Sequence, residues 1–167
     1  MRNTAGTLCC TLNLKNMEIK YRLESIAETE FKMDYDFDYS DLIPENLKIQ
    51  VGHDIKPIMD KDQIMVKAKA SLVYGDEEVE LATNTVSMRF GLSPIKEIII
   101  LKDDGTFSTQ NTLVLDTFLV AAVGALRGIM MKNLKGTPLE AYFLPLIPIE
   151  HFRANNKNSS SNRRHLD

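Results

Sequence analysis

Apolar and polar residues alternate with a period of two from Tyr21 to Met33. Tyr21, Leu23, Phe31 and Met33 fall on one side, with Ala27 among them; Arg22, Glu24, Glu28, Glu30 and Lys32 fall on the other. A strand with one buried and one wet face gives this pattern, because successive side chains point to opposite sides. NLKIQV repeats it with Leu47, Ile49 and Val51. The intervening MDYDFDYSDLIPEN is rich in aspartate, contains a proline and reads as a loop. HDIKPIMDKD ends the second strand, since Pro57 has no N–H to give. QIMVKAKASLVY predicts a third strand with Ile64, Val66, Ala68, Ala70 and Leu72 inward. GDEE makes a hairpin turn into a fourth strand, VELATNTVSMRFGL. Its apolar phase changes from odd (Val79, Leu81) to even (Val86, Met88, Phe90, Leu92), which predicts a bulge or a change of face near Thr83 to Thr85.

The period then lengthens. In SPIKEIIILKDDGTFSTQ, Ile98 to Leu101 suit either a short strand or a helical turn, and Asp104-Gly105 is a turn. From about Asn111 to Leu134, apolar residues recur at three- and four-residue steps through Leu115, Leu119, Ala122, Leu126, Ile129 and Met130, as in a helix. Asn111 or Thr112 can cap its start, and Gly136 stands where a terminating glycine belongs. GTPLEAYFLPLIPIEHF is apolar, yet Pro145 and Pro148 prevent a continuous helix or a central strand. Such a segment either packs flat over a core or walls a surface that binds apolar chains. Strands followed by a helix predict an α+β fold: a four-stranded antiparallel sheet covered on one face, then a long helix and an irregular, proline-containing loop.

Composition narrows the class. The chain has 167 residues, enough for one domain, and 44% of them are apolar. Residues 1–18 read as a flexible extension, 19–152 as the folded domain, and 153–167 as a disordered polar tail. Met17 is an alternative start. The net charge of −3 gives no argument for nucleic-acid binding. No membrane insertion is expected, because the most apolar run, Phe118 to Met131, is short and contains Arg127. Cys9 and Cys10 are adjacent and have no other cysteine to pair with, so no disulfide framework is expected. Without an apolar leader near the start, the expected location is the cytoplasm.

Chemical motifs are not evident. His53, His151 and His165 lie far apart, with no second ligand at metal spacing. No G-x-S-x-G, phosphate loop or H-E-x-x-H occurs. Glu77, Glu78 and Glu80 sit at the hairpin, where a solvated turn accounts for them. No enzymatic activity, cofactor or metal is expected. The helix, by contrast, is apolar on more than one side, and Ala121, Gly124, Ala125 and Gly128 would let another backbone approach closely. These four residues predict a subunit interface.

Taken in order, four stretches resemble the SecB-type protein-export chaperones over about residues 19 to 152. They are YRLESIAETEFKMD, NLKIQV, VKAKASLVYGDEEVELATNTVSMRFGL and ALRGIMMKNLKGTPLEAYFLPLIPIEHF. The resemblance implies a homo-oligomer, a dimer of dimers, that holds unfolded or export-competent polypeptides in an apolar groove without ATP. By position, Ile49, Val51 and Phe152 match family groove residues, and Leu144, Leu146 and Ile149 would line the same wall. Glu30 and Asp34 match two acidic positions that face the SecA-type export motor, and Thr83 replaces a third. After Phe152 the chain turns polar, so the short second helix that the resemblance implies is expected to be a single turn. A dedicated chaperone of one partner, such as an antitoxin, is the alternative. A small-ligand-binding or enzymatic α+β domain ranks after it.

Overall fold

The computed structural model describes residues 9–14 and 17–153. Residues 1–8 and the polar tail from 154 onward, with His165, lie outside the described residues. The fold is α+β, as expected, but its curled antiparallel sheet has five strands. These are β1 (Cys10–Leu14), β2 (Met17–Met33), β3 (Leu47–Ile58), β4 (Gln63–Tyr74) and β5 (Val79–Ser93). Their spatial order is β1-β2-β5-β4-β3. The fifth strand, β1, comes from the stretch read as a flexible extension. It pairs with β2 from Cys10↔Tyr21 to Leu14↔Met17 and helps bury Ile19.

The face of β2 differs from a simple alternation. Its pairing with β5 slips between Leu23 and Ser25 and again between Glu28 and Glu30. Each bulge inserts one residue and reverses the phase. Leu23, Ile26, Glu28 and Phe31 therefore share the helix side, opposite Phe90, Met88, Val86 and Asn84, while Ala27 lies on the other side opposite Ser87. The phase change expected near Thr83 to Thr85 is also a bulge, located slightly earlier. Leu72 pairs with Ala82 and Val73 with Glu80, so Leu81 is the extra residue. The second strand does not stop at His53 but runs to Ile58. Pro57 is accommodated because β3 is an edge strand.

After β5 comes one helical turn, α1 (Ile95–Ile98), then a small hairpin of β6 (Ile99–Leu101) and β7 (Phe107–Thr109). The ambiguous isoleucine run is thus both a turn and a strand. Gly105, with φ of 78°, makes the hairpin bend. The long helix α2 (Thr112–Leu134) lies on one face of the sheet. An unbroken four-residue ridge faces inward through Val114, Phe118, Ala122, Leu126, Met130 and Leu134. It packs on Ile64, Val66, Ala68, Ala70 and Leu72 of β4 and on the even-numbered residues of β5. Phe118 stacks on Phe90 with ring centroids 4.1 Å apart and meets Tyr21 edge-on at 5.6 Å, joining α2 to β5 and β2. Gly136, at φ 77°, ends the helix as expected.

By length and composition α2 could cross a membrane, contrary to the expectation from its one arginine. Yet 44% of its most apolar window is buried. The core helix of a soluble protein has the same character.

Candidate functional site

From Leu139 to Arg153 the chain returns as a strap across α2 and along β3. Three apolar side chains anchor it. Leu139 and Leu144 are fully buried, and Phe152 is 2% exposed. Polar contacts fix the strap between and beyond these anchors. The Arg127 guanidinium of α2 donates from Nε to the Leu144 carbonyl and from Nη2 to the Pro145 carbonyl, both at 2.8 Å. Two carbonyls that prolines and irregular backbone leave without ladder partners are thereby satisfied. At the far end, residues 149–153 form one helical turn, and Arg153 pairs with Asp116 of α2. The short second helix is therefore seen as a turn within the described residues. The segment both packs on the core and walls a surface.

That surface is a hollow of about 250 Å³ lined by Ile49, Val51, Pro145, Leu146, Ile147, Pro148 and His151. Of the expected groove residues, Ile49, Val51 and Leu146 meet here. Ile49 and Val51 are half-buried on the helix side of β3, while Leu146 is 87% exposed above them. Ile149 packs half-buried against the core beside the hollow. Leu144 and Phe152 are anchors, because the strap folds their side chains inward against α2 and β3. The sequence reading missed Pro145, Ile147, Pro148 and His151 as lining residues. Their signal was the density of apolar residues and prolines in that stretch.

A second hollow of about 150 Å³ lies further along β3, lined by Ile55, Thr112, Leu115, Asp116, Leu119, Phe152 and Arg153. Phe152 stands between the two, its ring edge-on to His53 at 5.4 Å. Burial pushes the His53 imidazole below its ordinary value near 6.5, with Asp54 acting in the opposite direction. Its Nε2 is buried without a partner among the described residues. A depressed histidine stabilises the fold above the unfolded value, and that contribution is lost as pH falls. Between about pH 7.5 and about pH 5.5 the melting temperature should therefore drop, and His53→Phe should drop less. Equal drops would mean that His53 is not the titrating group.

The two acidic positions are engaged within the chain. Glu30 accepts from Lys32 at 2.6 Å and from the Thr85 hydroxyl at 3.1 Å. The Lys32 contact, with that of Thr85, holds its carboxyl below the usual range. Asp34 caps its own loop, accepting from the backbone N–H groups of Asp36 and Phe37. The four small residues of α2 do not face the sheet together. Ala121, Gly124 and Gly128 are exposed and Ala125 is half-buried. Among the described residues no three His, Cys, Asp or Glu side chains gather where they could hold a metal. No protein-family model and no curated protein matches the chain.

Proposed function

We propose that the protein is a SecB-like, ATP-independent holdase of the cytoplasm that binds apolar side chains of unfolded polypeptides along β3. The observation that carries this reading is Leu146, almost fully exposed over a hollow floored by Ile49 and Val51. Such an arrangement costs solvation unless an apolar group covers it. Volume favours a side chain over a free ligand, since pockets for drug-sized molecules run to about 300–1,000 Å³ and this hollow is smaller. One hollow holds little of a client, so affinity comes from several contacts at once.

The separation of the two hollows by Phe152 favours a second reading, a dedicated chaperone that takes a short motif with two apolar anchors, such as one in an antitoxin. One assay addresses both. The intact protein should suppress aggregation of an unrelated, chemically unfolded protein without nucleotide. Leu146→Ser should weaken that suppression and leave the melting temperature unchanged, because the side chain touches little in the fold. Absence of suppression by the intact protein would move the assignment to a dedicated partner. Glu30 and Asp34 are engaged by contacts within the chain, so the acidic positions give no support to delivery to an export motor.

Assembly as a homo-oligomer, a dimer of dimers, belongs to the same proposal. Leu113, Thr117, Val120, Gly124, Gly128 and Met131 form one outward stripe on α2, with Leu113 51% and Val120 57% exposed. Beside it, Leu23 and Ile26 lie on the helix side of β2 but are about half exposed, at 46% and 50%. A helix from a second copy would cover both. Outside its own turn of helix, a Cβ added at Gly124 meets nothing within 4 Å among the described residues. Gly124→Leu should therefore keep the fold, with helix propensity improved by up to about 1 kcal/mol, while overpacking the contact. Light scattering after size exclusion should show a smaller species; an unchanged mass would remove this stripe from the interface.

A further inference from the structure

The sheet face turned away from α2 has the opposite character to the chain as a whole. The protein carries a net charge of −3. On this face, however, nearly every carboxylate is matched by its own cation. Lys20 pairs with Glu18, Arg22 with Glu24, Lys32 with Glu30 and Lys69 with Glu80. Glu24 and Arg22 lie across Gly91, where an added Cβ would come within 2.6 Å of a Glu24 oxygen and push that carboxylate aside.

Four exposed cations remain. Arg89 stands in the cross-strand row Arg89–Met65–Lys56, and Lys67 in the next row, Ser87–Lys67–Asp54. Lys48, at the end of β3, points to the same side. None of the four has a carboxylate within 4 Å among the described residues; Asp54 stands opposite Lys67, and Glu80, which already pairs with Lys69, ends the row of Lys48. Met65 stands between Arg89 and Lys56, and the neighbouring rows carry small groups, Ala27, Ser87, Thr85 and Gly52. An extended chain can lie flat on such a surface.

We infer that this outer face docks an acidic polypeptide segment, at a site separate from the apolar groove. Alternation in β3 divides the two. Ile49 and Val51 face the groove, while Lys48, Gln50 and Lys56 face the cationic side. Charge complementarity selects the partner. A stretch of glutamates and aspartates gains from unpaired cations at close range. A long nucleic acid is disfavoured by the negative net charge at a distance, and the face offers no aromatic ring on which a base could stack.

The test is fluorescence anisotropy of a labelled Glu-Gly repeat peptide titrated with the full chain. Binding is expected at low salt. It should weaken as the screening length shrinks from about 30 Å at 0.01 M to about 8 Å at 0.15 M. The double variant Lys67→Glu/Arg89→Glu should lower affinity by about tenfold or more. Lys96→Glu/Lys102→Glu, at exposed positions near the hairpin, should leave it unchanged. The first double variant should still suppress aggregation as well as the parent. Absence of low-salt binding, equal binding by both double variants, tighter binding of a single-stranded oligonucleotide of equal charge, or loss of holding in Lys67→Glu/Arg89→Glu would each overturn the inference. Because holding and peptide binding by the parent protein are read separately, a parent that does not hold unfolded protein but binds the acidic peptide would refute the proposed function alone.

Discussion

Phe152→Ala is expected to release the strap while leaving the sheet folded. The side chain is 2% exposed and fills the space between β3, His53 and α2. Truncating a buried phenylalanine costs about 3–5 kcal/mol. Here the loss should be local, because Phe152 holds the strap and not the strands to each other. Backbone amides from residue 142 to 153 should exchange faster with solvent, while those of β4 and β5 keep their protection. Holding should change with it, since the two hollows along β3 then become one. A uniform rise in exchange across the sheet would instead make Phe152 part of a single cooperative core.

Phe118→Ala should have an equally large cost and the opposite distribution. Phe118 is fully buried and joins three elements through its stack on Phe90 and its edge contact with Tyr21. The truncation costs about 3–5 kcal/mol, and each lost aromatic pair adds about 0.5–1.5 kcal/mol. For a domain of this size 1 kcal/mol corresponds to about 2–4 °C, so the melting temperature should fall by roughly 6–20 °C or more. Exchange should rise through β2, β5 and α2 together. A fall below about 4 °C would mean that the neighbours collapse into the cavity.

The contrast between these residues shows what the sequence made legible. Periodicity places the helix but not its exact inward face: the stripe through Leu115, Leu119, Ala122, Leu126, Ile129 and Met130 leaves out Val114, Phe118 and Leu134, which are buried, because the apolar run from Phe118 to Val123 blurs the period. Phe152 stands in an irregular segment, where no period indicates which way a side chain turns. The strap folds inward at Leu144 and Phe152 because α2 satisfies its backbone through Arg127, a contact made across 17 residues of chain. Ile49 and Val51 could be assigned to the helix side from alternation, and Leu146 to the same surface from its apolar setting. Ala27 was misplaced because the bulges in β2 leave no mark in a run of mixed polar residues. Likewise CTLNL is too short to separate a strand from a tail until its partner, Met17 to Tyr21, is known. Pro57 looked like a strand end because the edge position that accommodates it depends on the order of strands in space.

β3 uses both of its faces, and this constrains its length more than its composition. Substitutions at Ile49 or at Lys48 would each affect one side only. Loss of a single residue at the start of β3 that slipped the following residues by one position along β4 would turn every later side chain over. Lysine and aspartate would then point toward Leu146 and isoleucine toward the solvated side. Point changes could thus retune either surface of this strand independently, whereas an insertion or deletion would exchange the two.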